Sequence, residues 1–142
     1  MVQDTNLVLE TGQTVTADVN GTAKDTEGGF YSMVRLFGGV FGNATDTLVV
    51  VVEASIDGGS NYYSIGEFPL LDGADDSLEI ARVVYVPRPN SSNTVTKVRV
   101  RYDITNNDSA SFVISKIFLE PLVSIAPPAL DEELSIGLAK LL

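Results

Sequence analysis

The chain contains no cysteine, no histidine and no tryptophan. Without cysteine, neither a disulfide framework nor a thiolate metal site can form. Without histidine, the commonest general base and the commonest metal ligand are lost together. Every Ser-His-Asp or Cys-His mechanism is thereby excluded, and catalysis would have to rest on carboxylates, lysine or tyrosine. The missing tryptophan removes the usual aromatic platform of sugar-binding sandwiches. Positive charge is scarce as well: 9 Lys and Arg stand against 19 Asp and Glu, a formal net charge of −10. Contact with nucleic acid would therefore need a concentrated basic patch. No apolar run is long enough to cross a bilayer. The opening MVQDTNLVLETGQTV has neither the basic start nor the apolar stretch of a secretory leader. A soluble protein with no membrane partner is expected.

What is present is β pattern. The length, 142 residues, fits one domain with a core of its own, and 44% hydrophobic residues argue against a disordered chain. Short strands are predicted over residues 5–9 and 13–19, with Val15, Ala17 and Val19 on one face. Residues 20–29, NGTAKDTEGG, read as a polar loop, and 30–41 as a strand with a bulge or bend at Gly38-Gly39. The run Leu48 to Val52 belongs to a strand over 47–56 that is buried on both faces. After a turn at Asp57-Gly58-Gly59-Ser60, Tyr62 to Phe68 return as its antiparallel neighbour, with Tyr62 and Tyr63 on opposite faces, one of them in the core. Strands over 78–86, 94–104 and about 110–120 follow, separated by turn signals. Roughly eight short strands make an all-β, jelly-roll-like β-sandwich over residues 1–122.

Residues 123–142 form a separate tail. Pro127-Pro128 stiffen it, and Asp131 can cap a short helix whose first turn carries Glu132 and Glu133. Leu130, Leu134, Leu138 and Leu141 fall on one stripe of that helix. A helix this short is marginal alone in water, so the stripe is expected to dock, either back on its own sandwich or, in preference, on a neighbouring subunit or partner protein.

Three groups of residues invite a functional reading. Ser55-Ile56-Asp57-Gly58-Gly59-Ser60-Asn61-Tyr62 resembles the Asp-box of sialidases, with Asn61 for the usual Thr and Tyr62 for the usual Trp. In sialidases that motif braces hairpins far from the catalytic pocket. Ser55, Asp57, Gly58, Gly59 and Tyr62 are therefore read as turn-building residues. Lys97, Arg99 and Arg101 alternate with Val and lie on one face of a strand. They read as a solvated sheet face, able to meet an acidic protein surface, with no nucleic acid implied. Asp72, Asp75 and Asp76 share an acidic loop whose spacing does not match an EF-hand, and no second carboxylate is placed across a cleft for glycosidase chemistry. No catalytic activity, no cofactor and no essential metal are expected.

The segment VVVVEASIDGGSNYYSIGEFPL, the opening DTNLVLETGQTVTAD and the strand TKVRVRYDIT together resemble tailed-bacteriophage capsid cement, or decoration, proteins of the jelly-roll kind. The likeness covers residues 4 to 120 and leaves out the tail. It implies a non-enzymatic homotrimer, made in the host cytoplasm, on the outer capsid surface of the virion, where it clamps adjacent subunits of the major capsid protein. The competing expectations are another virion β-module, such as a tail, fibre or connector component, or a glycan-binding β-sandwich.

Overall fold

The computed structural model describes residues 7–41, 46–72, 79–105 and 112–122. In chain order the strands are β1 (Val8–Val15), β2 (Val19–Asn20), β3 (Lys24–Thr26), β4 (Phe30–Phe41) and β5 (Thr47–Ser55). They continue as β6 (Tyr63–Glu67), β7 (Leu71–Asp72), β8 (Glu79–Val86), β9 (Thr96–Thr105) and β10 (Phe112–Pro121). Among the described residues there is no helix. The predicted tail helix and its Leu130, Leu134, Leu138 and Leu141 lie outside the described residues, as do Asp75, Asp76 and the turn at Asn106-Asn107-Asp108.

Two antiparallel sheets pack face to face as a β-sandwich. One has four strands in the order β1-β10-β4-β8. The other has six, with β2 and β3 successively on one side of β9, β5 on its other side, and β6 and β7 beyond β5. Buried side chains alternate with more exposed ones along β4 and β9, as strands with one buried face require. Val34 and Leu36 of β4 and Ile114, Ile117 and Leu119 of β10 meet Val50 and Val52 of β5 and Val98, Val100 and Tyr102 of β9. Phe68 and Leu71 close the core beside them. The Tyr102 hydroxyl, buried between the sheets, donates to Glu10 Oε1 of β1 at 2.8 Å. Burial first, and then that bond, push its pKa above the ordinary tyrosine value.

The β5 prediction holds: Val50, Val51 and Val52 are all buried, so both faces are covered. Its predicted hairpin partner is also in place, with Val51 opposite Glu67 and Ala54 opposite Tyr63. At Gly38 the register between β4 and β10 slips on both sides of Ile114, where a bulge was expected.

The start of the chain differs from the prediction. One strand, β1, runs from Val8 to Val15 straight through Gly12, whose φ of 71° a glycine adopts without strain. Val15 is buried, but Ala17 and Val19 are exposed, because the chain leaves the first sheet after Val15 and pairs at Val19 with Tyr102 of the second. The predicted loop 20–29 contains β3, held on β9 by Lys24 opposite Val98.

The chain returns from β3 to the four-stranded sheet at a tight corner. Gly28 and Gly29 have φ of 73° and 76°, and the Gly29 amide donates to Val86 O at 2.7 Å. The buried Thr96 hydroxyl donates to Pro87 O at 2.7 Å. Two chain crossings between the sheets, β3 to β4 and β8 to β9, are thus tied side by side.

Candidate functional site

The Asp-box turn is built as its residue types dictate. The buried Ser55 hydroxyl donates to Asp57 Oδ1 at 2.7 Å and accepts from the Gly59 amide at 2.9 Å. Asp57 Oδ1 accepts the Asn61 amide at 2.9 Å, and Oδ2 accepts Asn61 Nδ2 at 2.8 Å. Asn61 therefore fills the position usually held by Thr with one bond more than a backbone amide alone supplies. Gly58 and Gly59, at φ of 76° and 92°, provide the left-handed steps of the turn. The turn is braced from outside, where the Asn90 amide donates to Ile56 O at 3.0 Å. The Ser55 hydroxyl and both carboxylate oxygens of Asp57 are thus engaged in holding the turn.

The bonds from Ser55, and then those from Asn61, hold the Asp57 carboxyl down to a pKa of about 2. Because the folded value lies below the unfolded one, the turn's contribution to stability is complete above about pH 4. It is lost as pH falls toward 2. In melts between pH 5 and 2, an Asp57→Asn variant should be less stable than the parent at pH 5 and converge with it at the acid end. A constant difference across that range would show that the charge of Asp57 plays no part.

Neither tyrosine beside the box is in the core, contrary to the sequence reading. Tyr63 is exposed, and Tyr62 is half-buried with its ring 3.6 Å from the Arg99 guanidinium carbon. The packing beneath this box is a cation–π contact on the sheet surface rather than a buried ring.

Lys97, Arg99 and Arg101 lie on one face of β9, with Val98 and Val100 buried on the other, as predicted. Their charge is already matched. Glu53 of β5, itself buried, accepts from Arg99 Nε at 2.9 Å and also from Arg101 Nη1. Asp103 accepts from Arg101 Nε at 3.2 Å, and Asp25 of β3 accepts from Lys97 Nζ at 2.8 Å. The bond to Asp25 and its charge hold the Lys97 ammonium above its ordinary pKa. Three cations thus face three carboxylates across β3, β9 and β5. This neutral ladder provides no concentrated basic patch.

Asp72 sits at the end of β7 opposite Thr47. Among the described residues no three acidic side chains come together as a metal site. Asp46, just before β5, is fully buried, with neither carboxylate oxygen hydrogen-bonded to a described residue. Sequence reasoning missed it, since nothing in GNATDT marks that aspartate for burial.

The outer face of the four-stranded sheet was not singled out from sequence either. Tyr31 and Tyr85, opposite each other on β4 and β8, are 60% and 44% exposed with ring centroids 4.9 Å apart, and Val83 beside them is 57% exposed. Met33, Phe37 and Phe118 continue the face, the last two stacked at 5.9 Å. Arg35 crosses it, bonded to Glu120 at 2.7 Å and to Glu79 at 3.4 Å. No protein-family model matches the chain, and a search of curated proteins finds no match.

Proposed function

We propose that this chain is a virion structural protein, without catalytic activity, that binds the outer surface of an assembled phage capsid and stabilises it by clamping adjacent major capsid protein subunits. The observation that carries the reading is the nesting of the strands. With β2 and β3 taken as one interrupted strand, and β6 and β7 as another, eight strands remain. The first then pairs with the last, the second with the seventh, the third with the sixth and the fourth with the fifth. We read that nesting as a jelly roll, an architecture found in viral capsid and lectin domains. The side-chain chemistry is in keeping with a passive clamp, since Ser55 and Asp57 of the Asp-box and the cations of the β9 ladder are partnered within the fold.

In this reading the protein is a homotrimer, and the leucine stripe of the tail takes part in attachment. Ligands that bind only the assembled shell stabilise it by mass action, and many copies on one lattice add avidity to modest contacts. The second reading, a glycan-binding sandwich, draws support from the exposed Tyr31–Tyr85 pair.

Added to purified capsids of the virus that encodes it, the protein should co-sediment with them and raise their melting temperature. In sedimentation by itself it should run at three times the 15.1 kDa chain mass. A Leu134→Ser, Leu138→Ser variant should keep the β-sheet signal and bind capsids more weakly. Labelling confined to the tail or fibres of the particle would overturn the capsid reading. Retention on a glycan array without capsid binding would favour the second.

A further inference from the structure

We infer that, in the unassembled protein, the outer face of the four-stranded sheet is the seat of the chain's own C-terminal segment, residues 129–141. The inference does not depend on the capsid reading. Its starting point is where the described chain ends. The Leu122 amide donates to Tyr31 O at 2.9 Å, so the tail departs from the border of the face that carries Tyr31, Val83 and Tyr85. An apolar sheet face in water is unfavourable, and so is a stripe of four leucines, and each is the kind of surface that covers the other.

The dimensions agree. Residues 123–129 span at most roughly 23 Å when extended. A helix over 129–141 would be about 20 Å long. Four strands spaced by about 4.8 Å make a face roughly 14 Å wide, so the tail reaches all of it without leaving its own subunit. The charges agree too. Lys116, opposite Phe37 on this face with its ammonium 5.1 Å from the Phe118 ring, has no carboxylate partner among the described residues. The tail brings Asp131, Glu132 and Glu133 in succession. A tether this short gives the segment a high effective concentration at its own sheet, which favours the same chain over a second copy.

Hydrogen exchange on the full-length protein tests the seat. Amides of residues 129–141 should exchange at least about tenfold more slowly than in the isolated peptide, with the same protection at micromolar and at tens-of-nanomolar protein. A Tyr31→Ser, Val83→Ser variant, altering only exposed side chains, should lose that protection while the amides of β5 and β9 keep theirs. Leu134→Ser, Leu138→Ser should lose it equally, which gives a second route if the first variant folds poorly. Exchange at the free-peptide rate in the parent, or protection untouched by either variant, would overturn the inference. Protection that disappears on dilution would assign the seat to the tail of another copy and overturn it as well.

Discussion

An Arg99→Ala, Arg101→Ala double variant is expected to lose about 4 kcal/mol of stability, more than Glu53→Ala, which should lose about 2. The order follows from who can reach water. The Glu53 side chain is 5% exposed, while Arg99 and Arg101 are 22% and 38% exposed. Removing Glu53 leaves two guanidinium groups that rehydrate, and Arg101 keeps Asp103. Removing both arginines leaves a buried carboxylate without a counter-charge, the costlier outcome. The decisive comparison is the triple variant: adding Glu53→Ala to the double variant should recover part of the lost stability, a non-additivity expected only of groups in contact. Urea denaturation of the four proteins measures this. A double variant that loses less than Glu53→Ala, or a triple variant less stable than the double, would mean that Glu53 is not held as a buried anion.

Gly28→Ala should be as damaging, by a different route. A Cβ there would stand 2.0 Å from Pro87 O and 2.8 Å from Thr96 Oγ1, at a φ of 73°. The left-handed conformation alone costs a non-glycine residue about 1–2 kcal/mol. The carbonyl it would strike is backbone and already accepts the Thr96 hydroxyl, so it cannot yield without opening the corner. A total of about 4 kcal/mol is expected, or roughly 12 °C in melting temperature for a domain of this size. Gly12→Ala is the control. Its φ is 71°, but no described residue lies within 4 Å of the added methyl, so only the conformational term of about 1–2 kcal/mol remains. Equal losses at the two positions would show that the corner accommodates a side chain.

These features mark what the sequence made legible. The strand Thr47–Ser55 was plain from an unbroken apolar run, and the face of Lys97, Arg99 and Arg101 from its period of two. The neutralisation of that face was not, because Glu53 lies 46 residues from Arg99 and Asp25 lies 72 from Lys97. Local pattern gives the side of a strand and is silent about its neighbours. The misreading of Ala17 and Val19 has a related cause: QTVTADV keeps its alternation across the point where the chain changes sheets, and periodicity registers extension rather than pairing. The Asp-box was readable as a turn because its bonds span only two to four residues. Its aromatic was misplaced because Tyr62 meets Arg99, from a strand much later in the chain. The apolar face around Tyr31 and Val83 was missed for the same reason, since it exists only once β4, β8 and β10 lie side by side.

The nested strand order also fixes when the domain can come into being. Of the four strands internal to the sheets, β9 and β10 are the last of the described strands to be synthesised. Until they arrive, β1 has no partner in its sheet, β2 and β3 have none in theirs, and β4 and β5 each lack one side. A nascent chain can form only the β4–β8 pair and the hairpins on β5, with apolar faces and strand edges open to other chains. Val8 finds Phe118 across nearly the full length of the domain, a closure that slows folding. Synthesis therefore does not complete the two sheets together: β10 is the wedge that joins β1 to β4, and a chain stopped short of Phe112 can pair the six-stranded sheet but has no closed sheet to cover its apolar face.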